Sequence, residues 1–331
     1  MQKILKVFSK FIITILIICG VFWGITKIKN IRQDKYPGIS QVNFVLNDSL
    51  YGSTYSFDYM GFTLVGQENT GNSYLFEDSY YALFLDDTTD KIYASYNANR
   101  RMYPASMTKL MTAIIVCDKI DSGEISLDDE VTVSSGYDLT YDGVEPCNLP
   151  YGSKITVKNL MYGLLIQSNN YYALILADYI AGSEEEFCRL MNEKAASLGA
   201  TSTHFVNPHG LDDPLHYSTA NDIYLILKEA DKYELIRTID SFNTYSYSYI
   251  APGGYEVYED ISATNLFSNG YVSLPANYTI RTWKTGTTSG AGNCLALCLT
   301  RDEHTYYLVA SDGDSRSELY DLVIELLCLV E

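Results

Sequence analysis

The sequence has little of what a metal or a nucleic acid would need. Among 331 residues there are four histidines, His204, His209, His216 and His304. None has a helical partner four residues away and no HExxH occurs, so a histidine-held zinc site has no foundation. The seven cysteines form no CxxC and no metal-ligand spacing. No metal and no cofactor is expected. Basic side chains are also scarce, 23 Lys and Arg against 41 Asp and Glu, for a net charge of −18. Phosphate backbones are bound by clustered cations, which excludes a nucleic-acid partner. No internal repeat is evident. No A-x-A cleavage site follows the one long apolar run, which argues against a removed signal.

What is present begins with that run. Residues 1–35 carry seven basic side chains and one acid, which leaves 16 basic and 40 acidic residues in 36–331, a balance of −24. Phe11 to Thr26 is uncharged and flanked by Lys10 and Lys27. With the aliphatic stems of those lysines it reaches the length of a membrane span, about 17–25 residues. The expectation is a cytoplasmic tail over 1–10, a signal-anchor over 11–27 and a stem over 28–75 with a hairpin or two. Ile18 ahead of Cys19 does not suit a lipoprotein site. The positive-inside count is balanced and leaves orientation open.

From about residue 76 the apolar content supports a substantial core. Alternation predicts strands over 80–87 and 91–96. An apolar helix is predicted over 106–120, and two more over 156–167 and 171–180 are separated by Ser168-Asn169-Asn170. Further helices are predicted over 184–200 and 218–230, the latter capped by Thr219 with Asp222 three residues on. Strands follow near 244–249, 280–285, 293–300 and 305–311, then a helix over 316–329. This order implies an α/β (α+β) fold, an antiparallel sheet covered by N- and C-terminal helices with a helical lobe inserted between its halves. Buried free thiols suit the cysteines better than disulfides, and Cys294 and Cys298 fall on one strand face.

Three short patterns carry chemistry. In "PASMTKLMTA", Ser106 and Lys109 are three residues apart and share a helix face. A serine hydroxyl becomes a nucleophile when a neighbour takes its proton, and a lysine can do so once burial or a nearby cation lowers its pKa. Alone, the pattern also fits a capped helix with a solvated lysine. Yet it is the only S-x-x-K in the chain, and its helix is too apolar for a surface lysine. Ser168 and Asn170 lie at a helix break, where a hydroxyl and an amide can relay a proton and grip a peptide carbonyl. Lys284-Thr285-Gly286 closes a predicted strand, offering a cation, a hydroxyl and a residue that lets another backbone approach. The N–H groups of Ser106 and Thr287 can form an oxyanion hole.

The ordered set SxxK, SxN, KTG resembles that of the penicillin-binding serine enzymes. With "MNEKAASLGATSTHFVNPHGLDD", "HYSTANDI" and "KTGTTSGAGNCL", residues 76–331 look like a low-molecular-mass D-alanyl-D-alanine carboxypeptidase. The resemblance implies the penicillin-binding, β-lactamase-like transpeptidase fold and an acyl-enzyme on Ser106 with Lys109 as base. It also implies that Ser168 and Asn170 assist proton transfer and position the substrate. Lys284, Thr285, Gly286 and Thr287 would line the groove, and Arg316 would help hold a terminal carboxylate. The implied partners are peptidoglycan stem peptides and β-lactams, the latter acylating Ser106. The substrate lies outside the cell, which makes the catalytic domain extracytoplasmic and the N-terminal span a single-pass membrane anchor. Asn169 departs from the family, where glycine is usual, and raises a catalytically impaired, tethered cell-wall binder as the alternative. A β-lactamase fits less well, because Glu145 precedes Ser168 rather than following it.

Overall fold

The computed structural model describes residues 56–59, 62–65, 70–71, 80–134, 137–139 and 149–330. The expected span over 11–27, most of the stem, Cys19, Glu145 and Cys147 lie outside the described residues. Among the described residues no helix is long and apolar enough to cross a membrane.

The first elements are short strands: β1 (Ser56–Tyr59) pairs with β2 (Phe62–Val65) as an antiparallel hairpin. Strand β3 (Thr70–Gly71) joins a larger sheet with β4 (Tyr81–Asp86) and β5 (Lys91–Tyr96). After β5 a single 3-10 turn (Ala105–Thr108) leads into α1 (Lys109–Asp121). Then come β6 (Glu130–Thr132), β7 (Lys154–Thr156), α2 (Val157–Leu165), α3 (Asn170–Ala181), α4 (Glu184–Ser197), α5 (Ala220–Ala230) and α6 (Glu234–Asp240). The chain closes with β8 (Thr244–Ile250), β9 (Glu256–Ser262), β10 (Thr279–Thr288), β11 (Gly292–Arg301), β12 (His304–Gly313) and α7 (Arg316–Leu327).

The main sheet has the order β10-β11-β12-β4-β5-β3 and is antiparallel throughout. Successive residues of β12 point to opposite faces. The Tyr307 ring meets Tyr224 of α5 at 5.2 Å, while the Tyr306 ring meets Tyr278 at 5.7 Å, and Tyr278 in turn donates to the Leu327 carbonyl of α7. Helices α5 and α7 therefore cover opposite faces. The expected helical cover of the antiparallel sheet is thus seen, with α7 on one face and α5 of the inserted lobe on the other.

The lobe also contains more strand than its sequence suggests. A second antiparallel sheet, β6-β7-β8-β9, flanks the helices. Only β8 was expected; β6 and β7 have three residues each, too short to show alternation. Helix α6 was not expected either, being seven residues with no side-chain cap. The longer helices obey their sequence signals. Thr156, Asn169, Ser183, Thr219 and Ser315 each accept a backbone N–H in the first turn, each worth about 1 kcal/mol. Cys117, Cys188, Cys294, Cys298 and Cys328 are free thiols, the first four buried.

The core runs continuously from the sheet through α1 into the lobe. Two of its largest fully buried side chains are lysines, Lys109 and Lys284. A lysine is rarely buried without a partner, so the fold puts both in question.

Candidate active site

Helix α1 is buried along its first nine residues, Lys109 to Cys117. A helix apolar on every side sits inside the protein, and Lys109 at its first position is carried in with it. The preceding turn places Ser106 half-buried above it. Ala105 adopts φ 47°, a left-handed conformation costing a residue with a Cβ about 1–2 kcal/mol. Packing holds it there from two sides. A Cβ on Gly210 would lie 1.9 Å from the Ala105 carbonyl oxygen, and one on Gly286 would lie 2.9 Å from the Ala105 Cβ and 3.0 Å from the Ser106 nitrogen. Only glycine at these positions lets loop and strand close on the turn.

Lys109 Nζ lies 2.8 Å from Ser106 Oγ, 2.6 Å from Asn170 Oδ1 and 2.6 Å from the His209 carbonyl oxygen. Burial, and then the Lys284 ammonium, push the Lys109 pKa well below its ordinary value. A neutral amine has two N–H bonds and one lone pair. The Asn170 and His209 oxygens can only accept, so they take the two N–H bonds. The lone pair is left facing the Ser106 hydroxyl, as a base for it requires.

Ser168 stands in the break between α2 and α3 at φ 64°, again a left-handed backbone on a residue with a Cβ. Its hydroxyl makes no hydrogen bond among the described residues. Asn169 caps α3, its Oδ1 accepting the N–H groups of Tyr171 at 3.0 Å and Tyr172 at 3.3 Å. The side chain that departs from the family is thus engaged by a helix terminus.

The third pattern lies on β10, the outer strand of the main sheet. Lys284 is fully buried, and burial lowers its pKa to about 7, with Asp240 opposing and Arg316 adding to the fall. Its Nζ donates to the Thr285 carbonyl at 3.1 Å. The Thr285 hydroxyl meets that of Thr264 at 2.6 Å. Thr287 is exposed and donates to the Gly286 carbonyl at 2.8 Å. Arg316 opens α7, exposed, with its charge acting on Lys284. The structure thus brings Ser106, Lys109 and Asn170 into contact, sets Gly286 against Ser106, and couples Lys284 to Lys109 and Arg316 through charge.

One segment has a larger part than the sequence reading gave it. The loop "NPHGLDD" supplies the His209 carbonyl to Lys109 and the Pro208 carbonyl to Thr112 Oγ1 at 2.6 Å. Asn207 Oδ1 accepts the Gly210 N–H at 2.6 Å. His216 Nδ1 accepts the Val206 N–H at 3.1 Å, so its Nε2–H donates to Thr108 Oγ1 at 2.8 Å. Burial lowers its pKa to about 4. His209 is also kept neutral, chiefly by burial, so its 3.7 Å contact with Glu184 is no ion pair. Backbone carbonyl acceptors leave no residue-type signal; the glycine beside His209 was the available clue.

Comparisons with known proteins give the family and the fold. Residues 72–314 match the family model described as D-alanyl-D-alanine carboxypeptidase. The chain is 38% identical over 170 residues to D-alanyl-D-alanine carboxypeptidase DacF of Bacillus subtilis, covering 51% of this chain and 43% of that protein. It is 33% identical over 229 residues to D-alanyl-D-alanine carboxypeptidase DacC of Escherichia coli, covering 67% and 53%. The matches therefore span about half the length of these relatives. The crystal structure of the Streptomyces K15 DD-transpeptidase aligns with a TM-score of 0.68 at 24% identity, over 75% of this chain and 95% of that one. At that identity the likeness establishes the fold.

Proposed function

Because the chain belongs to the D-alanyl-D-alanine carboxypeptidase family, we propose that it removes the terminal D-alanine from peptidoglycan stem peptides through an acyl-enzyme on Ser106. The observation that carries this reading is the buried Lys109 amine, its Nζ 2.6 Å from the Asn170 and His209 carbonyl oxygens and 2.8 Å from Ser106 Oγ, with its pKa pushed well below the ordinary value by burial.

In this mechanism Ser106 Oγ attacks the carbonyl carbon between the two D-alanines while its proton passes to Lys109 Nζ. The carbonyl becomes an oxyanion that accepts the N–H groups of Ser106 and Thr287. As the C–N bond breaks, the departing D-alanine amine takes a proton relayed from Lys109 by way of Ser168. An acyl ester on Ser106 remains. Water, deprotonated by the same base, cleaves the ester and returns the hydrogen to Ser106 Oγ. Asn170 positions the substrate and orients Lys109. Lys284, Thr285 and Arg316 recognise the terminal carboxylate, and Gly286 keeps the strand edge open to the substrate backbone. A β-lactam presents a strained amide to the same hydroxyl and acylates it. The 11–27 span anchors the protein in the membrane, with residues 76–331 as an extracytoplasmic catalytic domain.

The test is labelling of the full chain by a fluorescent penicillin, beside Ser106→Ala. Label on the wild type and none on a folded variant is the expected outcome. No label on a folded wild type would sink the acyl-enzyme reading.

A further inference from the structure

The segment "NPHGLDD" contains a carboxylate, Asp212, that the proposed mechanism leaves without a task. Its neighbour Asp213 stays within the loop, Oδ1 accepting the Leu215 N–H at 2.7 Å. Asp212 reaches the main sheet instead. Its Oδ1 accepts the Thr288 hydroxyl at 2.6 Å, and its Oδ2 accepts the Gly290 N–H at 2.8 Å. Thr288 Oγ1 in turn accepts the Ala291 N–H at 3.0 Å. One carboxylate thus organises the turn between β10 and β11, directly and through Thr288. The fit is close. A Cβ on Gly290 would lie 2.8 Å from Asp212 Oδ2 and 2.9 Å from the Tyr103 ring. The turn is held between Asp212 and the segment that leads into Ser106.

The residue before Thr288 gives that turn its importance. Strand β10 has a neighbour, β11, on one side only. The Trp283 N–H turns to the other, free edge, where Asp240 Oδ2 accepts it at 2.9 Å. Pairing with β11 then continues without a register shift from Thr282 to Thr288. Backbone N–H groups along an antiparallel strand alternate between its two edges. Those of Thr285 and Thr287 therefore also face the free edge. Thr287 is the last of them, one residue from the end of the strand, where pairing holds a backbone least. We propose that Asp212 is a positioning residue, its carboxylate holding the β10–β11 turn so that the Thr287 N–H stays aimed at the substrate's carbonyl oxygen. This rests on the oxyanion role given to Thr287 above. The same loop brings the His209 carbonyl to Lys109 and sets Gly210 against Ala105. Base, nucleophile and oxyanion donor are thereby spaced from one loop.

Asp212→Ala in the full chain removes both acceptors. Acylation by the chromogenic β-lactam nitrocefin, followed over a range of concentrations, separates the noncovalent dissociation constant from the acylation rate constant. An oxyanion donor acts on charge that develops in the transition state. The rate constant is therefore expected to fall about tenfold, the scale of a loosened donor rather than a deleted one. The dissociation constant is expected to change by less than about twofold. Thr288→Val breaks the same link from the hairpin side and leaves the loop intact. It is expected to give the same split, with the double variant no slower than the slower single one. Wild-type rates in Asp212→Ala, or a loss confined to the dissociation constant, overturn the proposal. So does a Thr288→Val protein that acylates normally, because the loss in Asp212→Ala then runs through the loop and Lys109. The Thr287 amide resonance, in full chain labelled with 15N-threonine, gives a decision without acylation. A resonance moved or broadened in Asp212→Ala supports the proposal and an unmoved one overturns it. A wild type that nitrocefin does not acylate refutes the Ser106 reading, and the amide resonance still judges Asp212. Should Asp212→Ala not fold, Asp212→Asn, which keeps Oδ1 for Thr288 and loses the acceptor for Gly290, is judged by the same measurements.

Discussion

Asn169 shows what a single residue can conceal. In the sequence it sits at the middle of a motif where glycine is usual, and a catalytically impaired site was one expectation. In the structure its φ of −65° and ψ of 123° demand no glycine, and its side chain caps α3. Asn169→Ala is therefore expected to lower stability by about 1 kcal/mol in urea denaturation. The penicillin acylation rate should change by less than about twofold, a fraction of a kcal/mol. A large gain in acylation rate would show that the side chain does obstruct the site. The contrast with Ser106 and Lys109 is instructive. Their contact is local, i to i+3, and legible at once. The Lys109 contacts to Asn170 and His209 join residues distant in sequence, and one of them is a backbone carbonyl that any residue could provide.

At the scale of elements, the loop between α4 and α5 governs how the turn that bears Ser106 is held. Its buried His216 bridges Val206 and Thr108 only as a neutral ring. The folded pKa of about 4 lies below the ordinary 6.5. The unfolded chain therefore takes up a proton as pH falls below about 6.5 while the folded protein does not. This contribution to stability is complete above about 6.5 and is lost as pH falls towards 4, amounting to up to about 3 kcal/mol. His209, depressed by the same burial, adds in the same direction. Urea midpoints at neutral and mildly acid pH are expected to converge for His216→Asn relative to wild type. Equal losses in both proteins would refute this assignment. The longer helices were legible from periodicity and caps. The short β6, β7 and α6 were not, because a three-residue strand or an uncapped turn of helix exists only through what it packs against.

At the scale of the whole molecule, the expected order of two strands, a helical insertion and four more strands supplied five of the six strands of the main sheet; β3 was not expected, and the strand near 244–249 belongs to the second sheet. That order did not fix which face each helix covers, since that depends on the side to which Tyr306 and Tyr307 point. The acidic body and basic apolar N-terminus give a further expected outcome. Removing residues 1–27 should move the penicillin-labelled protein from the membrane pellet to the supernatant with its acylation rate unchanged. Retention in the pellet would show that residues 1–27 are not the sole anchor.

The site is assembled from Ser106 on the first turn after β5, Asn170 and His209 in the lobe, Lys284 on β10 and Arg316 on α7. These groups meet only after the chain has returned from the lobe to the sheet. A nascent or truncated polypeptide that stops before β10 has the serine and the lysine of the first motif yet no closed pocket around them. On the proposed acylation of Ser106, covalent capture by a penicillin would count completed molecules. The antibiotic would become a clock for the chain's own maturation, reading the moment β10 locks against the turn that bears Ser106.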